Sequence, residues 1–288
     1  MIVSVASGKG GTGKTTVTAS LATVWNTPLI VADYDVEEPN LHLFLHPTPH
    51  AEQTVYMEVP VVDMGKCTLC KKCSELCQFK AISAIGKKLL VFSEMCHGCG
   101  GCMAICPEGA ISCGTRELGV IMQGTLPNAL FVQGQLRIGE AMTPPLLRAE
   151  KKHIHTMLQQ FNQDVLIDAP PGVSCPAVNA VAGSDVIVLV TEPTPFGLHD
   201  LTLAVETTRA LGKKFGVVIN RYGMGDDAVE AYCQSENIAI LAKIPHLLEI
   251  AQCYSAGKLI YPEVDSFKQA LEEIAIFIKT LSQEEVVQ

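Results

Sequence analysis

Eight of the 12 cysteines in this 288-residue chain fall into two short runs with identical spacing. In each run two residues separate the first three cysteines from one another, and three residues precede the fourth. The runs consist of Cys67, Cys70, Cys73 and Cys77, and of Cys96, Cys99, Cys102 and Cys106. Three thiolates at this interval can face one cluster, whereas the fourth points away from it. The spacing therefore predicts two four-cysteine sites that exchange their fourth ligands.

This spacing resembles that of bacterial ferredoxins, which hold two [4Fe–4S] clusters. The exchange defines a first quartet, Cys67, Cys70, Cys73 and Cys106, and a second quartet, Cys96, Cys99, Cys102 and Cys77. Zinc sites usually pair two C-x2-C units across a longer gap, and a disulfide framework would need a secreted chain. Gln78 follows Cys77, where Pro107 follows Cys106. We expect two [4Fe–4S] clusters in spite of this difference.

A glycine-rich loop follows the apolar run at residues 2–6. Gly8, Gly13, Lys14 and Thr15 satisfy the pattern G-x4-G-K-[ST], and a helical pattern follows. Glycines let backbone N–H groups turn onto phosphate oxygens, and the helix N-terminus adds its dipole. We expect Lys14 to reach the β- and γ-phosphates and Thr15 to hold Mg²⁺. The loop predicted to bind the nucleotide consists of Gly8, Lys9, Gly10, Gly11, Thr12, Gly13, Lys14, Thr15 and Thr16.

Acidic residues follow two further apolar strands. Asp33 and Asp35 end the run at 29–35, and Asp168 ends the run at 163–168. Ligands of α/β sheets bind outside the carboxyl ends of the strands, so these side chains are expected beside the glycine loop. We expect Asp168 to hold Mg²⁺ directly or through water.

The run from Lys9 to Thr16 resembles the deviant Walker A motif of the MinD, ParA, Mrp and nitrogenase-iron-protein superfamily. The resemblance implies that Lys9 reaches the partner's nucleotide in a homodimer, that Asp35 orients the attacking water, and that Asp33 lies near the metal. It implies that Pro171 and Gly172 sense the γ-phosphate. Asn220 would read the adenine edge, Arg221 would flank the base, and the segment 242–258, which contains Pro245, would close over it. These positions favour ATP; no N-K-x-D guanine signature occurs.

Strands alternate with helical patterns from residue 1 to about 35 and again from about 163 to 283. This alternation predicts an α/β fold with a doubly wound, mostly parallel sheet, as in P-loop NTPases. The cysteine runs lie between the two parts. We therefore predict a split ATPase domain at 1–59 and 116–288, with a bacterial-type 2[4Fe–4S] ferredoxin domain inserted at 60–115. Cys113, Cys233 and Cys253 are predicted to be buried thiols. The same is the default for Cys175, but resemblance to the nitrogenase iron protein, where a thiol just after the γ-phosphate switch helps to bridge a cluster across the dimer, leaves that role as an alternative.

Charge and composition limit the partners. A net charge of −9 argues against general binding of nucleic acid, which needs a basic face. No stretch is apolar enough to span a membrane, and none resembles a secretory leader. A thiol-rich chain without a leader is expected in the cytoplasm.

Three functions remain open at this stage. In each, the protein is an ATPase that is slow without a partner. The first is maturation of iron–sulfur clusters or metal cofactors, as resemblance to Mrp-type proteins implies. The second is ATP-gated electron transfer, in the manner of the nitrogenase iron protein. The third is a MinD-type positioning or regulatory ATPase whose clusters sense redox state. Partners would be a second copy of the chain and a protein that donates or accepts electrons or clusters.

Overall fold

The computed structural model describes residues 1–160, 162–259 and 264–283. The chain divides into two compact units. Unit 1 comprises Met1–Glu52, Ile121–Gln135 and Leu147–Gln288, and unit 2 comprises Gln53–Val120 and Leu136–Leu146. The boundaries predicted for the inserted domain, 60 and 115, lie within the first segment of unit 2 and stay a prediction.

One large sheet has the strand order β11-β10-β9-β1-β8-β2-β7-β6-β3. Neighbouring strands from β11 to β7 are parallel wherever their register is given. The strands of this sheet are β1 (Ile2–Ala6), β2 (Leu29–Asp33), β3 (Thr48–Val62), β6 (Ile111–Thr125), β7 (Ala129–Leu136), β8 (Asp164–Asp168), β9 (Val186–Thr191), β10 (Lys214–Tyr222) and β11 (Ile240–Pro245). The mostly parallel α/β fold is thus confirmed.

Helices connect these strands. They are α1 (Lys14–Val24), α2 (His42–Leu45), α5 (Thr143–Gln160), α6 (Cys175–Val181), α7 (Pro195–Ala210), α8 (Ala228–Ser235), α9 (Leu248–Ser255) and α10 (Asp265–Gln283). All residues of β2 and β9 are buried, which is typical of parallel strands covered on both faces. Leu21 of α1, Phe267 and Leu271 of α10 pack into the same apolar core as the β-strand residues. None of the helices in the described ranges has the length and apolar character needed to cross a membrane.

The register of β1, β2 and β8 decides where the site forms. Val5 of β1 and Asp33 of β2 both lie opposite Asp168 of β8. The carboxyl ends of these three strands therefore meet at one edge of the sheet. The glycine loop leaves β1 at this edge, so its backbone lies beside both strand-end carboxylates.

Unit 2 contains small elements around the cysteine runs. These are α3 (Lys72–Leu76), α4 (Gly101–Ile105), a 3-10 turn (Ser93–Met95), and the antiparallel pair β4 (Ile82–Ile85) and β5 (Lys88–Val91). Its apolar core includes Cys73, Ile82, Leu89 and Ile111. Cysteines thus form part of this small core rather than of its surface alone.

Candidate nucleotide site and cysteine sites

A cavity of about 460 Å³ opens at the carboxyl edge of the parallel strands in unit 1. Its walls come from the glycine loop, the segment after β2, the end of β10 and the segment after β11. The predicted site residues that line it are Gly10, Gly11, Gly13, Lys14, Thr15, Thr16, Asp35, Pro171, Asn220, Arg221 and Pro245. The volume falls within the range of small-molecule sites.

The other predicted residues do not line this cavity. Gly8 lies against Asp200, where an added Cβ would be 2.1 Å from the backbone oxygen of that residue. Thr12 is buried, and its hydroxyl oxygen has no hydrogen-bond partner within the described residues. A buried hydroxyl without a partner carries a free-energy cost that a ligand oxygen could remove. Lys9, Asp33 and Asp168 make hydrogen bonds to other protein groups.

Gly13 shapes the start of α1. Its φ of 92° lies in the left-handed region, which side chains other than glycine rarely adopt. A Cβ at Gly13 would be 2.2 Å from Nδ2 of Asn220, so the loop and the end of β10 approach closely here. Asn220 donates from Nδ2 to the backbone oxygen of Thr12 over 2.7 Å, and its Oδ1 accepts the N–H of Arg221 over 2.9 Å. The amide of Asn220 is therefore fixed on both sides.

Asp168 gathers three donors at the floor of the site. The Lys14 ammonium donates to its Oδ1 over 2.7 Å, and the Thr15 hydroxyl donates to its Oδ2 over 2.6 Å. The Thr18 hydroxyl donates to Oδ1 over 3.1 Å. Lys14 and Asp168 are both buried. The two residues predicted to hold Mg²⁺, Thr15 and Asp168, are thus already in direct contact.

Asp33 lies beside Asp168 but faces the backbone. Its carboxylate accepts the N–H groups of Asp35, Asn40 and Leu41 over 2.9–3.1 Å. Complete burial and the charge of Asp168 raise the pKa of Asp33 to about 8. Burial also raises the pKa of Asp35, which lines the cavity, to about 6. Asp35 is therefore the acid better placed to face a nucleotide, and Asp33 also orders the loop after β2.

Lys9 pairs with an acid that the sequence did not single out. Its ammonium donates to Glu192 Oε1, and Arg221 donates to Glu192 Oε2 over 2.8 Å. Burial raises the pKa of Glu192, but the hydrogen bonds and charges of Lys9 and Arg221 outweigh burial and hold that pKa below its usual value. No motif around Glu192 indicated this pair, whose members lie 183 positions apart. His246, Leu247 and Ile250 also line the cavity and lie in the segment 242–258 that was predicted to cover the base. Cavity residues outside the prediction are Ser7, Val17, Glu38, Asn40, Met224 and Phe267.

The eight spaced cysteines separate into two groups in unit 2. Cys67, Cys70, Cys73 and Cys106 line one small cavity. Cys77, Cys96, Cys99 and Cys102 line another, of about 220 Å³. The grouping matches the exchange of fourth ligands derived from the spacing. Among the residues that the structure describes, no three His, Cys, Asp or Glu side chains are grouped so as to hold a single metal ion. Sulfurs around a cubane stand farther apart than the ligands of one ion, so this finding concerns single-ion sites.

The backbone repeats around the two cysteine runs. Counted from Cys67 and from Cys96, residues at +2, +4 and +13 have positive φ in both runs. The helix from +5 to +9 also occurs in both, as α3 and α4. The six residues with positive φ are Leu69, Lys71 and Lys80 in the first run and Gly98, Gly100 and Gly109 in the second.

The repeat holds in spite of the difference at Gln78. Cys77 and Cys106 have nearly the same conformation, with φ of −69° and −72°. Lys80 donates its N–H to Cys77, and Gly109 donates to Cys106, each to the backbone oxygen over 3.3 Å. The turn therefore forms with glutamine as it does with proline.

Backbone N–H groups point at sulfur in both groups of cysteines. Gly98 donates to Cys96 Sγ over 3.4 Å, and Ala110 donates to Cys106 Sγ over 3.3 Å. Loops that alternate right- and left-handed residues direct successive N–H groups inward, as at many Fe–S sites. The donor set and the backbone both suit a thiolate-bound cluster.

Two of the remaining cysteines were predicted wrongly. Cys113 and Cys175 are exposed, whereas Cys233 is buried and Cys253 is half-buried. Cys113 lies on β6 with its side chain away from the core, and Cys175 is the first residue of α6. Burial of a thiol depends on which face of its element it occupies, and the sequence around these two did not show the face.

Comparison with known families gives a match over most of the chain. A family described as the CobQ/CobB/MinD/ParA nucleotide binding domain matches residues 3–260. A protein of Methanocaldococcus jannaschii, MJ0579, is 30% identical over 287 residues, which cover 96% of this chain and 97% of the relative. An ATP-binding protein of the same organism, MJ0547, is 23% identical and covers 95% of this chain and 85% of its own length.

Solved structures show the same fold. The cell division ATPase MinD of Pyrococcus furiosus has a TM-score of 0.58 at 22% identity, covering 97% of this chain and 99% of that one. The septum site-determining protein MinD of Pyrococcus horikoshii, complexed with Mg-ADP, has a TM-score of 0.60 at 22% identity. It covers 98% of this chain and 97% of that one. At this identity the likeness shows the fold alone.

Proposed function

This chain belongs to the CobQ/CobB/MinD/ParA family of nucleotide-binding domains, and on that premise we propose that it is an ATP-hydrolysing iron–sulfur protein that acts in the maturation of iron–sulfur clusters or metal cofactors. The ATPase domain comprises 1–59 and 116–288. The ferredoxin domain at 60–115 carries two [4Fe–4S] clusters. The observation that carries the iron–sulfur part is the repeated backbone around two separate groups of four cysteines.

The nucleotide part of the proposal rests on the residues at the carboxyl edge of the sheet. Lys14 and Thr15 both contact Asp168. On binding of MgATP, the Lys14 ammonium would turn to the β- and γ-phosphates, and Thr15 and Asp168 would hold Mg²⁺. Asp35 would orient the water that attacks the γ-phosphorus, whose bond to the ADP oxygen then breaks. Asn220 and Arg221 would contact the adenine, and the segment at Pro245 would cover it.

The loop after β8 connects the γ-phosphate end of the site to the glycine loop. Pro171 lines the cavity, and Gly172 donates its N–H to the backbone oxygen of Ser7 over 2.8 Å. Gly172 has a φ of 88°, so its conformation suits glycine best. A phosphate that displaces Pro171 would also disturb the bond to Ser7. We therefore assign the difference between ATP and ADP states to this loop.

The cysteine part of the proposal rests on the donor set. Each quartet supplies four thiolates, and backbone N–H groups already donate to Cys96 and Cys106. Clusters held in this way supply one-electron chemistry at a potential set by hydrogen bonds and exposure. Cys70 and Cys99 are exposed, which places one sulfur of each quartet at the surface of unit 2. A partner protein could therefore reach either quartet.

Gated electron transfer is the second candidate. Complete four-cysteine ligation favours it, because a fully ligated cluster is held more firmly than one meant for delivery. Redox-sensing regulation of the MinD type is the third candidate. The two leading candidates differ in whether the state of the nucleotide changes the potential of the clusters.

An EPR-monitored redox titration of anaerobically purified protein, with and without MgATP, separates these functions. We expect two [4Fe–4S] signals whose potentials do not change with MgATP, together with slow release of phosphate. A shift of the potentials with MgATP would favour gated electron transfer over maturation. Absence of any [4Fe–4S] signal after reduction and reconstitution would refute the iron–sulfur part.

Asp35→Asn provides the matched variant for the ATPase part. The substitution keeps the shape of the side chain and removes the carboxylate that faces the cavity. We expect the variant to bind ATP with near-native affinity and to release phosphate at least ~100-fold more slowly. Native rates in this variant would remove Asp35 from the proposed mechanism.

A further inference from the structure

Glu192 is a buried acid that the proposed mechanism does not use. It follows the last residue of β9, and the structure gives it a relative exposure of 8%. One of its carboxylate oxygens accepts from Lys9 and the other from Arg221. Both cations belong to the nucleotide region: Lys9 to the glycine loop, and Arg221 to the wall of the cavity. A single carboxylate thus joins two walls of the site.

The glycine loop therefore has two lysines with two separate acids. Lys14 pairs with Asp168, which closes the floor of the site. Lys9 pairs with Glu192 and is not among the residues that line the cavity. An ammonium bound to a carboxylate must break that contact before it can bind a phosphate. The Glu192 pair consequently opposes any use of Lys9 outside its own protomer.

We propose that Glu192 is a positioning residue that holds Lys9 within its own protomer until the nucleotide-bound homodimer forms. The inference rests on the proposed function, in which Lys9 reaches the partner's nucleotide. Arg221 makes release of Lys9 feasible, because its 2.8 Å contact keeps the buried carboxylate paired after Lys9 has left. Glu192 thereby sets the concentration of ATP at which the dimer assembles.

The first test is Glu192→Gln, which keeps the size of the side chain and removes its charge. The dimer is followed by sedimentation velocity across an ATP titration, and phosphate release gives KM and kcat. We expect half-maximal dimer formation at about tenfold lower ATP, as one charged hydrogen bond suggests. KM should fall by a similar factor, while kcat stays within about twofold. An unchanged or higher ATP requirement would overturn the proposal.

Glu206→Gln is the charge-matched control. Glu206 is exposed on α7, after the same strand, and its loss removes one negative charge without touching Lys9 or Arg221. We expect no change in the ATP requirement. Glu192→Asp is the second variant. It keeps the charge, but its side chain is one methylene shorter, so the carboxylate lies farther from the Lys9 ammonium. Glu192→Asp should lower the ATP concentration for half-maximal dimer formation by about threefold. If this concentration is native in both Glu192→Asp and Glu192→Gln, a role for Glu192 is refuted.

A double-mutant cycle with Lys9→Met identifies the cation through which Glu192 acts. In the Lys9→Met background, Glu192→Gln should change the calorimetric affinity for ATP by less than about twofold. A larger gain in ATP affinity from Glu192→Gln in the Lys9→Met background would mean that Glu192 acts through Arg221 or through general charge. The proposal would then fail. If Lys9→Met alone leaves dimer formation native, the proposed role of Lys9 fails first. If Lys9→Met abolishes the dimer but Glu192→Gln has no effect, only the inference about Glu192 fails.

Discussion

Replacing Lys14 by methionine should destabilise the protein even without nucleotide. The Lys14 ammonium is buried and donates to Asp168 over 2.7 Å, so its removal leaves a buried carboxylate without its cation. Removal of one partner of a buried ion pair typically costs about 3–5 kcal/mol. Thr15 and Thr18 still donate to Asp168, so we expect the low end, about 3 kcal/mol. For a chain of this length that corresponds to a decrease in Tm of roughly 5 °C.

Urea unfolding followed by circular dichroism, with no nucleotide present, measures this free energy. The double variant Lys14→Met, Asp168→Asn removes both charges and should regain all but about 1 kcal/mol. Lys152→Met changes an exposed lysine on α5 and should stay within about 0.5 kcal/mol of the parent. Native stability of Lys14→Met would refute the view that Lys14 balances Asp168 before nucleotide binds. A double variant no more stable than the single one would refute the buried-charge explanation.

Three further predictions concern separate parts of the chain. Cys77→Ser should abolish one of two [4Fe–4S] EPR signals and reduce bound iron from about eight atoms per chain to about four. Cys113→Ser should keep both signals. Equal loss of both clusters in Cys77→Ser would contradict two separate four-cysteine sites. Burial raises the pKa of Glu150 well above its usual value. The folded protein therefore keeps a proton that the unfolded chain releases above pH 4.5, so stability falls as pH rises. The advantage of Glu150→Gln in free energy of unfolding should therefore grow as pH rises above about 5, with a slope of at most ~1.4 kcal/mol per pH unit. A constant difference would be incompatible with this reasoning. Gly13→Ala should weaken ADP binding at least ~10-fold, as measured by calorimetry. A Cβ at this position would lie 2.2 Å from Asn220, and the φ of 92° disfavours alanine. Native affinity for ADP would argue against this close approach.

Much of the site was predictable because its residues follow local rules. The glycine loop lies between a strand and a helix, and a nucleotide cavity formed beside it. Asp168 was predicted from its place at the end of an apolar strand, and parallel pairing brought it opposite Val5 and Asp33. The grouping of the eight cysteines agrees with the spacing argument, in which the first three thiolates of a run face one cluster and the fourth points away from it. In each case the pattern that supported the prediction lies within a few neighbouring positions of the sequence.

The partners of charged side chains were not predictable in this way. Lys9 meets Glu192 across 183 positions, and the segment that carries Glu192 gave no sign of this contact. Likewise, the positive φ of Leu69 and Lys71 was not predictable from residue type, because only glycine adopts this conformation freely. At the matching positions of the second run the residues are Gly98 and Gly100.

The sequence by itself determined the alternation of strands and helices at 1–35 and 163–283, the nucleotide loop and the cysteine spacing, because short-range geometry and periodic burial fix these features. The tertiary structure alone decided which carboxylate each lysine meets, that Asp33 faces backbone N–H groups, and that Cys113 and Cys175 are exposed. The physical reason is that the charge and solvation of a side chain depend on neighbours from distant strands. Those neighbours are set by the order and register of the whole sheet, which no single segment of the chain contains.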